Sequence, residues 1–113
     1  MDSNKLKMES GKFMKTVTIC GSMRFEQNMR DIAWILETQY GMNVLQCVYT
    51  PEAAVYNDRM LKNLEKAHYR KIELCDTIYV VDIDGYIGES TKREVEYARK
   101  LDKEVIFHSA FLA

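Results

Sequence analysis

The chain has 113 residues, of which 47% are hydrophobic and 29% charged, with a formal net charge of -1. That length and composition describe one globular domain with a single core, and the charge balance gives no basis for binding a nucleic-acid polymer or an anionic membrane. No apolar run approaches the ~20 residues that span a bilayer, and the polar start, Met1 to Lys12, lacks the apolar core of a signal peptide; the expected location is the cytoplasm.

Residues 1–14 read as a flexible lead-in, with Met14 as an alternative start, and residues 15–113 as one α/β domain. The three cysteines, Cys20, Cys47 and Cys75, lie in or beside apolar runs without a CxxC pair. That pattern points to reduced, buried thiols, not to a disulfide or a metal site.

Lys15 to Cys20 is a short β-rich run that stops at the turn signal Gly21-Ser22. Phe25, Met29, Ile32, Leu36 and Tyr40 then recur at helical spacing, and Gly41 is placed to end that helix. Val44 to Tyr49 predicts a second strand, closed by Pro51, the only proline. From about Glu52 the pattern is helical again, with Leu61, Leu64, His68, Ile72 and Cys75 on one face. Thr77 to Val81 is almost continuously apolar, as a central parallel strand covered on both faces should be. A glycine-punctuated loop, Asp82 to Thr91, leads into a third helix that ends near Asp102-Lys103, and Glu104 to His108 predicts the last strand. This β-α-β-α-β-α-β order implies a small Rossmann-like or flavodoxin-like three-layer sandwich with a four- to five-stranded parallel sheet. Ligands of such sheets bind at the carboxyl ends of the strands, where the strand order switches.

Two loops meet that description. In Gly21-Ser22-Met23-Arg24, backbone N–H groups at a helix start favour an anion, Ser22 adds a hydroxyl and Arg24 a forked cationic donor. The same residues also fit a plain turn with Ser22 as its cap. The loop has one glycine, neither the dinucleotide fingerprint nor a GK[ST] ending. In the second loop, Ser90 and Thr91 offer hydroxyls at another helix start. Glu94 lies one turn on, in register with Ala98 and Leu101, on the face that packs inward. Two readings of Glu94 remain open: a partly desolvated carboxylate with a chemical role, or the returning acid of a capping box Thr91-x-x-Glu94.

His68 is by position a core histidine or a site residue, and His108 ends the last strand near the same edge. Tyr86 suits stacking on a base or covering the core. Asp82 and Asp84 suit sugar hydroxyls; without a third oxygen ligand they do not make a hard-cation site. Met23, Met29 and Met60 read as core residues.

Taken together, Thr18-Ile19-Cys20-Gly21-Ser22-Met23-Arg24 and the segment from Gly88 to Glu94-Val95-Glu96-Tyr97-Ala98 resemble the phosphate loop and the catalytic-glutamate helix of the 2'-deoxynucleoside 5'-phosphate N-hydrolases. These belong to the nucleoside 2-deoxyribosyltransferase superfamily. The resemblance spans Lys15 to His108 and implies an N-glycosidase acting on nucleoside 5'-monophosphates, by hydrolysis or base exchange, with no cofactor or metal and as a homodimer. It makes Glu94 the catalytic carboxylate and Ser22, Met23 and Arg24 the phosphate loop with Ser90 assisting; Gly21, Asp82, Tyr86, Gly88, Thr91 and His68, read from their own chemistry at the same edge, complete the expected substrate site. Three positions depart from the family pattern. Thr18 falls near the family's glutamate-orienting tyrosine, Glu96 replaces a small residue, and His68 falls near an expected aspartate. Those departures keep a second expectation alongside the first: a module that binds a nucleotide or nucleotide sugar without cleaving it.

Overall fold

Strand β1 (Thr16–Gly21) shows how the layers arise. In the computed structural model, which describes residues 14–112, Val17 and Ile19 pack on one face of the sheet and Cys20 on the other, all of them buried. Helix α1 (Glu26–Thr38) covers the first face with Met29, Ile32, Ala33 and Leu36. Helices α2 (Asp58–Leu74) and α3 (Glu89–Lys100) cover the second with Ile72, Val95 and Ala98. Strand β3 (Thr77–Val81) is buried along its whole length, with Tyr79 and Val81 toward α1 and Ile78 and Val80 toward α2 and α3. Burying each such aliphatic side chain contributes about 1.5–3 kcal/mol, so this strand needs cover on both faces. The near-continuous apolar run of the sequence meets that need.

Strands β2 (Asn43–Leu45) and β4 (Glu104–Phe107) flank this pair, and the order β2-β1-β3-β4 is parallel throughout. The architecture is the expected α/β sandwich, with four strands among the described residues. The expected lead-in falls, apart from Met14, outside the described residues.

Several boundaries differ from the sequence expectation. Strand β2 pairs only over 43–45, its ladder ending at Thr18↔Leu45, and the freed carbonyl of Gln46 accepts from Lys71 Nζ at 2.7 Å. Helix α2 begins at Asp58 instead of near Glu52. The Asn57 side chain caps it, accepting from the Met60 N–H at 2.9 Å, and this cap defines the start. His108 opens a one-turn helix, α4 (His108–Phe111), instead of ending the strand. Met29 is 1% exposed, whereas Met23 and Met60, expected in the core, are 52% and 45% exposed because both lie at the rim of the ligand edge.

The sheet order places the switch between β1 and β3. Their paired ends, Gly21 and Val81, release one loop each at the same edge. An open parallel sheet offers its crevice at this corner.

Candidate active site

Gly21 allows the two loops to start side by side, since a Cβ there would lie 3.1 Å from Val81 Cβ. After it, Ser22 Oγ accepts from the Arg24 N–H at 3.3 Å and caps a short 3-10 turn over Met23–Phe25. The Arg24 guanidinium lies 3.9 Å above the centre of the Tyr86 ring, and Phe25 meets the same ring edge-on at 6.0 Å. Tyr86 thus ties the second loop to the first. Its hydroxyl also lies near Gly88, where a Cβ would meet it in ordinary contact at 3.5 Å. A guanidinium stacked by its face keeps its edge donors free for an anion.

Glu94 does not close a capping box. Helix α3 starts at Glu89 with Gly88 as the N-cap residue, so Thr91 is already inside the first turn and is 2% exposed. The Glu94 side chain, 14% exposed, instead has Oε1 3.3 Å from His68 Nε2. A carboxylate only accepts, so this contact is favourable when His68 Nε2 carries the proton. Cys20 Sγ lies 3.5 Å from the same nitrogen. Burial pushes the Cys20 thiol well above its ordinary value, and the charge of Glu94 and a hydrogen bond to it act in the same direction. The thiol therefore stays protonated beside the carboxylate. His68 Nδ1 is buried and has no hydrogen-bond partner among the described residues.

Ile19, Gly21, Met23, Met29, Cys47, His68 and Glu94 enclose a cavity of about 50 Å³. A larger hollow of about 200 Å³ adjoins it and shares Met23, Cys47 and His68, with Val48, Leu61 and Leu64 as its apolar wall. Gly21, Met23, His68 and Glu94 therefore converge, and Ser22, Arg24, Tyr86 and Gly88 stand on the two loops above them. Ser90 is exposed in the first turn of α3 and accepts from Arg93 at 3.5 Å.

Asp82 turns elsewhere. Its carboxylate accepts the Ser109 N–H at 2.8 Å and the Ser109 hydroxyl at 2.6 Å, and so holds α4 against the end of β3. His108 is held beside it by Tyr79, whose Oη lies 2.7 Å from His108 Nδ1. Burial raises the Tyr79 pKa, with Asp82 and Tyr40 adding to it, so the phenol stays protonated in this contact. The hydroxyl of Thr18 is likewise engaged, donating to the Lys71 carbonyl at 2.8 Å.

Cys20 and Cys47 were not expected at the site. The alternation of β1 was the available signal for Cys20, since it puts that side chain on the face that α2 and α3 cover. No sequence pattern marks Cys47, because it lies past the paired part of β2.

No protein-family model and no curated protein sequence matches the chain. Among the solved structures similar in fold are two proteins. The 2-desoxiribosyltransferase from Leishmania mexicana matches with a TM-score of 0.57 and 20% identity over 82% of this chain. A conserved protein from Enterococcus faecalis matches with a TM-score of 0.60 and 12% identity over 83% of this chain. The chain spans 63% and 62% of their respective lengths. At these identities the likeness shows a shared α/β fold, in which the chain corresponds to about two thirds of each longer protein.

Proposed function

We propose that the protein is a nucleotide N-glycosidase: it cleaves the bond between base and sugar in a nucleoside 5'-monophosphate, passing the sugar to water or to another base. The observation that carries this reading is the inward Glu94 carboxylate at the β1–β3 switch point, lining one cavity with Gly21 and Met23 of the first loop. The similar fold of the Leishmania mexicana 2-desoxiribosyltransferase supports the same class of chemistry.

The site dimensions suit such a substrate in parts. The small cavity at Glu94 receives C1' and its ring oxygen. The adjoining apolar hollow with Val48, Leu61 and Leu64 receives the base, and the Ser22–Arg24 turn the phosphate. As the C1'–N bond breaks, its electron pair leaves with the base and positive charge develops on the sugar. A fixed carboxylate beneath C1' stabilises that charge, or attacks it and later yields the sugar to water. His68 holds Oε1 of Glu94, which leaves the other oxygen for the anomeric carbon. Arg24 and the turn hold the phosphate and so orient the sugar.

A panel of nucleoside and deoxynucleoside 5'-monophosphates, incubated with the protein and assayed for free base, tests the reading. Release from at least one is expected, and Glu94→Gln should lower it by at least about 100-fold, the loss of about 3 kcal/mol of charge stabilisation, with the fold intact. No release from any of them by folded protein sinks the enzymatic reading.

A second reading, binding without cleavage, is favoured by one observation: the cavity at Glu94 is about 50 Å³, against the roughly 300–1,000 Å³ of ordinary ligand pockets. Calorimetry that finds phosphate-dependent nucleotide binding together with no base release selects it.

A further inference from the structure

The thiol of Cys20, the imidazole of His68 and the carboxylate of Glu94 come from β1, α2 and α3, and one ligand atom of each lies within 4.8 Å of the others. Their separations have a specific meaning. Ordinary zinc bond lengths put the S–N and N–O edges of a tetrahedron at about 3.6 and about 3.3 Å. Here Cys20 Sγ to His68 Nε2 is 3.5 Å and His68 Nε2 to Glu94 Oε1 is 3.3 Å. We propose that Cys20, His68 and Glu94 form a three-ligand site for one zinc-class divalent cation, with the fourth position open to the cavity.

Charge and softness both fit. A thiolate and a carboxylate neutralise a divalent cation, so the buried cluster carries no net charge once the ion is in place. A mixed sulfur, nitrogen and oxygen set favours zinc over magnesium or calcium, which take oxygen ligands. Binding releases the Cys20 proton to the buffer, and His68 Nε2 passes its own proton to Nδ1. The remaining ligand is a water, for which the cavity of about 50 Å³ beside Glu94 has room. Three protein ligands and an open position make a site that keeps a place for water or another ligand, unlike a closed structural one. The ion uses Glu94, the carboxylate of the proposed glycosidase, but its binding does not rest on that activity.

The test uses the full chain, reduced and stripped with a chelator, without nucleotide. One equivalent of Co²⁺ should produce a thiolate-to-cobalt charge-transfer band and the visible bands of tetrahedral cobalt, and one equivalent of Zn²⁺ should remove both. Cys20→Ser should lose the thiolate band. His68→Gln and Glu94→Gln should weaken Zn²⁺ binding at least about 100-fold, since even outer-shell partners cost up to that much; circular dichroism checks each fold. The wild-type spectrum decides the matter even where a variant does not fold. An octahedral cobalt spectrum without a thiolate band overturns the proposal, and so does a thiolate band that survives in folded Cys20→Ser. Base release is measured separately, in chelator. An ion-binding protein that releases no base sinks the glycosidase alone, and a glycosidase with no cobalt–thiolate band sinks the metal site alone.

Discussion

At Gly21 a methyl group would meet Met29 Sδ at 3.0 Å and Val81 Cβ at 3.1 Å. The thioether can swing aside, but the Val81 backbone belongs to the paired strand and cannot. Gly21→Ala is therefore expected to cost about 1–3 kcal/mol, the usual range for overpacking a filled core, read as a lower urea midpoint with an unchanged m-value. The same backbone shift would part the loops that carry Arg24 and Tyr86. The Glu94 neighbourhood works differently: its three polar groups, Cys20, His68 and Glu94, meet through side chains that reach one point from three elements. Truncating Glu94 should cost activity before stability, because no cap depends on it.

At the scale of elements, α4 is a single turn, too short to be stable alone. Its anchor is Asp82, which accepts both the N–H and the hydroxyl of Ser109. Hydrogen bonds to a charged acceptor contribute about 1.5–3 kcal/mol, so Asp82→Ala should lower stability by about that amount and raise amide exchange across 108–112 in particular. At the opposite end of the sheet, Glu104 accepts from Lys15 Nζ at 2.6 Å and from the Thr77 hydroxyl at 2.7 Å. The bond from Lys15, then that from Thr77, holds the Glu104 carboxyl below its ordinary range in the folded state. A depressed folded pKa means that this contribution is present above the unfolded pKa and is lost as pH falls through the folded one. Its size is small: the Lys15 and Glu104 side chains are 45% and 49% exposed, and solvent screening limits such a pair to less than about 1 kcal/mol. Glu104→Gln should therefore flatten the acid limb of a stability–pH curve slightly and leave the neutral region almost unchanged.

For the whole molecule, one surface stands apart. Val48, Tyr56, Met60, Leu61 and Leu64 are each more than a third exposed, and most of them border a groove of about 350 Å³ beside the ligand edge. Contiguous apolar surface rimmed by polar residues marks an interaction site, which supports the proposal that a second copy of the chain packs here. Sedimentation at micromolar protein should give a dimer mass, and Leu64→Lys should shift it to the monomer with an unchanged circular dichroism spectrum. A monomeric wild type overturns the dimer.

The sequence by itself determined the layers. The β-rich run Lys15 to Cys20, the helical spacing of Phe25, Met29, Ile32, Leu36 and Tyr40 and the almost continuous apolar run Thr77 to Val81 are local patterns. Local patterns suffice because burial demands them of each element separately. Asn57 as the cap of α2 is a local contact with the Met60 N–H that the helical pattern starting near Glu52 masked, and the one-turn helix after β4 was not legible because its anchor, Asp82, lies 27 positions away. The site was legible in half. Gly21 to Arg24 and Glu94 were visible as loops and an inward acid at one sheet edge. Only the tertiary structure removed the capping role of Glu94, by starting α3 two residues before Thr91 and setting His68 against the carboxylate. Cys20 and His68 are 48 positions apart, and no spacing rule reaches across that distance. Their meeting follows from the crossover of β1 and α2 onto one face of the sheet, which places a thiol, an imidazole and a carboxylate around one point.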